Sequence, residues 1–331
     1  NFHCMVNRMD INDAECVDFL QYVLPRLRMC WPGFRRVRGQ VCKRIARRIG
    51  ELGLSGFNDY RHYLDRQPRE WALLDGLCRV TITRFYRDRQ VFATLTGEVL
   101  PQLAEAACAE GRTSIRCWSI GSASGEEPYT LAILWQELFA ADYPGLRLQV
   151  LATETDPVLT GRAQRACYPP SAVKNLPETL RNKAFRFSNN EYCLEAVYQG
   201  MVHFQQQDIR YVLPEGAFDL ILCRNLVFTY FDESLQREIL RQLNSRMINA
   251  GWLILGVHER LPSAQREFTV ISERLGLRPN STTTTLRTRM PRWPSTRSGV
   301  WPASSRPSLE TPGTLFQAVL QAQPGLQRSK L

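Results

Sequence analysis

From Ser114 onward, short apolar runs alternate with stretches of helical period. No other feature of the sequence constrains the fold as strongly, because strands separated by helices build a parallel sheet flanked by helices. Residues 115–120, 148–153, 218–223 and 252–256 are predicted strands, and residues 126–140, 157–167 and 233–247 are predicted helices between them. Residues 185–204 read differently, as short strand-like pieces around Asn189, Asn190 and Gly200, the pattern of a small inserted hairpin.

Three regions follow from this texture. Residues 1–80 are predicted to form a helical domain, residues 81–280 the α/β domain with its insert at about 185–204, and residues 281–331 a disordered basic tail rich in Ser, Thr and Pro. In the helical region Val37, Val41, Ile45 and Ile49 recur every fourth residue, with Arg36, Lys43, Arg44 and Arg47 on the other faces. The net charge of +10 is concentrated: nine basic and no acidic residues lie between Arg26 and Arg48, and seven basic residues face one acid, Glu310, between Ser281 and Leu331. A solvated basic face and a landing surface for acidic helices or nucleic acid are both open on composition alone.

Several classes are set aside. No run of about 18 apolar residues exists, so no helix is expected to span a membrane, and no secretory leader is evident. A cytoplasmic protein is expected. The ten cysteines are scattered without paired spacing and are read as reduced thiols, and four histidines with no helical pairing make a metal site unexpected. The terminal Ser329-Lys330-Leu331 matches a peroxisomal address, read here as chance.

The chemistry concentrates at two strand ends. Trp118-Ser-Ile-Gly121-Ser-Ala-Ser-Gly125-Glu126-Glu127-Pro128-Tyr129 runs from a strand through a glycine turn into a helix, which lets a ligand approach the backbone closely. The turn is not the dinucleotide glycine pattern, lacks a phosphate-loop lysine, and has Ala123 where a nucleophile elbow needs serine. About 30 residues on, Ala152-Thr-Glu154-Thr-Asp156 places carboxylates at the end of the second strand, where one accepts the hydroxyl hydrogens of a ribose. Asp156 before Pro157 reads as a helix cap, leaving Glu154 for the sugar. A ribose without a phosphate cradle fits S-adenosylmethionine.

Taken together with Thr83-Arg-Phe-Tyr-Arg87-Asp88, Gly125-Glu-Glu-Pro-Tyr-Thr130 and Cys223-Arg-Asn-Leu-Val-Phe-Thr-Tyr-Phe-Asp232, these stretches resemble the motifs of the CheR methyltransferases in order and spacing, over about residues 34–262. The resemblance implies a Rossmann-like, S-adenosylmethionine-dependent α/β methyltransferase fold with an N-terminal helical domain. It also implies methylation of protein glutamate carboxylates. By position it places Thr81, Thr83, Arg87, Gly121, Gly125, Glu127, Glu154, Asp208, Ile209, Arg224 and Asn225 at the cofactor, and Arg87 and Tyr230 at the reacting groups. The implied acceptor is an acidic, helical protein such as a chemoreceptor cytoplasmic region.

The match departs from the family in places. Glu154 stands where Asp is usual, Thr81 where Asn is usual, and one extra residue separates Asn225 from Tyr230. The segment Gly256-Val-His258-Glu259-Arg260 approximates the family's closing Gly-His-Ser-Glu. The insert lacks the extra glycines of members that tether a receptor tail, so no tethering is expected. Two other readings stay open: a nucleic-acid methyltransferase, disfavoured because no Asn-Pro-Pro-Tyr or Asp-Pro-Pro-Tyr signature occurs, and a cofactor-binding regulator without catalysis.

Overall fold

The computed structural model describes residues 13–262, 268–272 and 276–279. The described residues divide into two compact units, one holding residues 13–27 and 34–80, the other residues 28–33 and the described residues from Thr81 to Pro279. The tail at 281–331 lies outside the described residues.

The first unit is helical: α1 (Asp13–Val23), α2 (Arg38–Glu51), α3 (Phe57–Arg66) and α4 (Glu70–Cys78). Val41, Ile45 and Ile49 of α2 are fully buried, as the four-residue repeat demands, and pack in a core with Phe19, Leu20, Tyr60 and Leu74. Of the basic residues around α2, Arg36, Lys43 and Arg47 are exposed. Arg44 is not on that outer surface: it is half-buried and donates to the Arg79 carbonyl at 2.6 Å. Arg48 forks onto Glu70, 2.8 Å from Nε to Oε1 and 2.9 Å from Nη2 to Oε2, and Tyr60 donates to the same carboxylate at 2.8 Å.

The second unit is built on a seven-stranded sheet. Its elements in chain order are α5 (Arg89–Thr94), α6 (Leu100–Ala109), β1 (Ser114–Ile120), α7 (Glu126–Leu138), β2 (Arg147–Glu154), α8 (Pro157–Arg165), β3 (Cys167–Tyr168), α9 (Glu178–Ala184), β4 (Phe185–Ser188), β5 (Glu191–Leu194), β6 (Val202–Gln206), β7 (Phe218–Cys223), α10 (Glu233–Ser245), β8 (Met247–Leu255), β9 (Phe268–Ser272) and β10 (Gly276–Pro279). The order is β6-β2-β1-β7-β8-β10-β9. The first five are mutually parallel, and β10 runs antiparallel between β8 and β9. All six residues of β7 are buried, the mark of a central parallel strand covered on both faces. From β1 the neighbouring strands are β2 on one side and β7 on the other, so the chain crosses over in opposite directions and leaves a crevice beyond the strand ends.

The stretch read as a single insert divides in two. β4 and β5 form a hairpin through Asn189 and Asn190, both at positive φ, the backbone that a tight two-residue turn requires. β3 joins that hairpin to make a three-stranded sheet. β6, by contrast, pairs with β2 and closes one edge of the main sheet. An edge strand is only partly covered, so its apolar signal is diluted by His203, Gln205 and Gln206.

The expectation of reduced thiols is corrected at four positions. Cys16 is joined to Cys42, with Cα atoms 6.0 Å apart, and Cys167 to Cys193, with Cα atoms 4.0 Å apart. Each pair is 26 residues apart in sequence, and only the juxtaposition of α1 with α2, and of β3 with β5, brings the sulfurs together. Cys30, Cys78, Cys108, Cys117 and Cys223 keep free thiols.

Candidate active site

The glycine turn leaves β1 and is tied to the end of β2. The N–H groups of Gly121 and Ser122 both donate to the Thr153 carbonyl, at 2.9 and 3.0 Å. Gly121 and Gly125 adopt φ of +66° and +91°, which side-chain-bearing residues disfavour, and a Cβ on Gly125 would stand 3.0 Å from both Ala163 and Phe204. The Tyr168 hydroxyl, on β3, donates to the Ser124 carbonyl at 2.8 Å and so fixes the far side of the turn.

Glu154 binds the same turn. Its Oε2 accepts from the Ala123 N–H at 2.9 Å, and Oε1 accepts from the N–H groups of Thr155 and Asp156 at 2.8 and 3.0 Å. The Asp156 carboxylate caps α8 through Val158 and Leu159, as the Asp-Pro pair predicts. Glu126 begins α7 buried, with no cation paired to it among the described residues; burial pushes its carboxyl up, while hydroxyls of Ser124 and Thr83 donate to it.

Arg224, at the end of β7, is the hub of the site. Its side chain is 2% exposed, with Nη1 donating to Glu127 Oε2 at 2.7 Å and Nη2 to Asp88 Oδ2 at 2.8 Å and to the Arg87 carbonyl at 3.1 Å. Ser119 donates to the other Glu127 oxygen at 2.9 Å. Each Glu127 oxygen therefore keeps a lone pair for an incoming ammonium group.

Asp208 is gripped by Arg210, whose Nε lies 3.0 Å from Oδ1 and whose Nη2 lies 2.7 Å from Oδ2. The Arg210 guanidinium stands 5.7 Å from the Phe231 ring, one residue beyond Tyr230. Ile209 is buried beside it. Tyr230 ends the four-residue helical turn Val227–Tyr230. Burial pushes its phenol up, with Arg87 opposing and Glu259 adding to the shift, so all three groups share one field. Arg87 keeps 35% of its side chain exposed; it donates to the Ile82 carbonyl and stands 4.0 Å from Asp88.

The structure thus gathers Gly121, Gly125, Glu127, Glu154, Arg224, Asn225 and Tyr230 at the strand ends, while Thr81 is exposed. Sequence reasoning quoted Asp88, Ser119, Ser122 and Glu259 within its motifs but gave them no site role, and it missed Tyr168 and Arg210. Two buried polar atoms here have no partner, Ser122 Oγ and Arg224 Nε. Unsatisfied buried donors of this kind fit a polar ligand seated against the turn. A cavity of about 410 Å³ elsewhere, lined by Leu103, Ala106, Ile248 and Trp252, contains none of the motif residues.

Residues 81–277 match the family model described as CheR methyltransferase, SAM binding domain. An uncharacterized 104.1 kDa protein of Rhodobacter capsulatus is 30% identical over 268 residues, covering 78% of this chain and 28% of that longer protein. The chemotaxis protein methyltransferase of Escherichia coli K12 is 28% identical over 275 residues, 80% of this chain and 91% of that one. That of Borreliella burgdorferi is 27% identical over 224 residues, 66% of this chain and 78% of its counterpart. The matched domain spans more than half of the sequence and contains every motif gathered at the strand ends, and the chain belongs to the CheR methyltransferase family.

Proposed function

We propose that this chain esterifies glutamate side chains of an acidic, helical protein acceptor of the chemoreceptor kind, with S-adenosylmethionine as methyl donor. The observation that carries the reading is the meeting of the glycine turn, Glu127, Glu154, Arg224 and Tyr230, from separate segments of the chain, at one end of the parallel strands. The relatives named chemotaxis protein methyltransferase support the acceptor class.

Bound S-adenosylmethionine supplies a methyl group already activated on a sulfonium. A glutamate carboxyl has an ordinary pKa of about 4.3, so it is ionised at neutral pH and needs no general base. The work left to the protein is alignment and exclusion of water. Glu127 takes the amino end of the cofactor's methionine portion, Glu154 its ribose, and Asp208 and Ile209 its adenine. Thr81, Thr83, Gly121, Gly125, Arg224 and Asn225 complete the contact set. Arg87, the most exposed of the site's three arginines, offers its fork to the acceptor carboxylate. Tyr230 walls the methyl position.

The exposed Arg36, just before α2, and Lys43 and Arg47 on it attract acidic helices, an attraction that salt weakens. The small hairpin sheet is assigned no tethering role. Among the described residues no helix is long and apolar enough to cross a membrane, and a cytoplasmic site of action is part of the proposal.

Incubation of the protein with methyl-labelled cofactor and a bacterial lysate tests the acceptor class. Label that protease removes and nuclease leaves supports the proposal. Nuclease-sensitive label would instead favour the nucleic-acid reading, and cofactor binding without any transfer the regulatory one.

A further inference from the structure

The turn that joins Asn225 to Tyr230 is held by a carboxylate that no motif reading placed in the site. Glu259, half-buried beyond the end of β8, accepts three hydrogen bonds of 2.7 Å: Oε2 from the N–H groups of Asn225 and Gly256, and Oε1 from the Thr229 hydroxyl. Asn225 needs that support, because its φ of +55° is a conformation that costs a side-chain-bearing residue free energy. Leu226, next to it, also lies outside helical geometry. The opposite flank of the turn is pinned by backbone: Cys30 N–H donates to the Tyr230 carbonyl at 2.8 Å, and Asp232 N–H to the Arg28 carbonyl at 2.9 Å.

We propose that Glu259 is a positioning residue for methyl transfer, fixing Asn225 at one end of this turn and, through Thr229, Tyr230 at the other. The inference rests on the placement of Asn225 at the cofactor and Tyr230 at the methyl position. Glu259 itself touches neither donor nor acceptor in this assignment. The proposed role rests on hydrogen-bond geometry, since its three partners are two backbone N–H groups and a neutral hydroxyl.

A glutamine distinguishes geometry from charge. In Glu259→Gln one amide oxygen serves both backbone N–H groups, and the amide nitrogen donates to the Thr229 oxygen, so the bonding pattern survives without the negative charge. Glu259→Ala is expected to lower kcat about ten-fold or more and to weaken cofactor binding, the scale of losing hydrogen bonds that hold a strained turn. Glu259→Gln is expected to recover most of both losses. Thr229→Val, which removes only the bond next to Tyr230, is expected to lower kcat while leaving cofactor affinity unchanged, and it keeps the test open if Glu259→Ala fails to fold. The readouts are calorimetric cofactor affinity and labelled methyl transfer by the full chain. Unchanged kcat in Thr229→Val, or a Gln variant as impaired as the Ala variant, overturns the inference. Failure of the unsubstituted protein to bind cofactor at all would instead overturn the site assignment on which it rests.

Discussion

Arg224 and Glu127, 97 residues apart in sequence, meet through a 2.7 Å hydrogen bond between the end of β7 and the start of α7. The same guanidinium reaches Asp88 at 2.8 Å, so one cation binds the segment before α5, the start of α7 and the end of β7. With its side chain 2% exposed, Arg224 is held in place by these two acids, and they by it.

Arg224→Met removes the shared cation from two partly buried carboxylates. Stability is expected to fall by about 3 kcal/mol, the lower end of the range for breaking a buried ion pair, because Asp88 and Glu127 retain some solvent. Urea unfolding checks it. A loss no larger than that of an exposed surface pair would mean the hub is not structural.

Arg87→Ala is expected to leave cofactor affinity within a few-fold while removing most methyl transfer. The side chain is the most exposed of the site's arginines, and the Asp88 carboxylate stands 4.0 Å away, so its fork is available to an acceptor. Calorimetry and transfer assays run on the same preparation separate the two effects. Equal loss of binding and turnover would contradict this division of labour.

Glu154→Ala is expected to weaken cofactor binding by about 1 to 3 kcal/mol, the scale of leaving buried hydroxyl groups unpaired. The structure adds a second contribution of the same sign, because Glu154 also anchors the Ala123 N–H of the glycine turn. Titration calorimetry measures the sum. Unchanged affinity would place the ribose elsewhere.

The helical unit carries a pH-dependent contact. Burial pushes the Glu70 carboxyl up, but hydrogen bonds from Arg48 and Tyr60 outweigh it and hold the group below the ordinary glutamate value. A carboxyl whose folded pKa is depressed contributes stability above its unfolded pKa and loses it as pH falls through the folded value. The stability this contact contributes is therefore expected to fade as acid takes the pH below the ordinary glutamate range, with Glu70→Gln less stable at neutral pH and less sensitive to acid there. Parallel acid titrations would contradict the assignment.

Sequence legibility followed the physics of each feature. The glycine turn, the Asp156 cap and the fully buried β7 were readable because each is written in adjacent residues: φ freedom, a capping oxygen, an apolar run broken only by Asp219. β8 begins at Met247, five residues before the predicted start, because the polar stretch Asn249-Ala250-Gly251 interrupts its apolar run. The Arg224 hub, the Glu259 latch and the Cys167–Cys193 link were not legible, since each depends on which distant segments the sheet order sets side by side. The resemblance to the CheR family named the candidate site residues, yet it gave no sign that Glu154 also anchors the turn it was expected only to face.

The most direct test of the central claim is the chemical nature of the transferred methyl group. Labelled product formed by the full chain on a purified chemoreceptor cytoplasmic fragment is predicted to lose its label on mild base treatment, as a glutamyl methyl ester hydrolyses. Label that survives base, as on a methylated amine, would contradict carboxylate methylation.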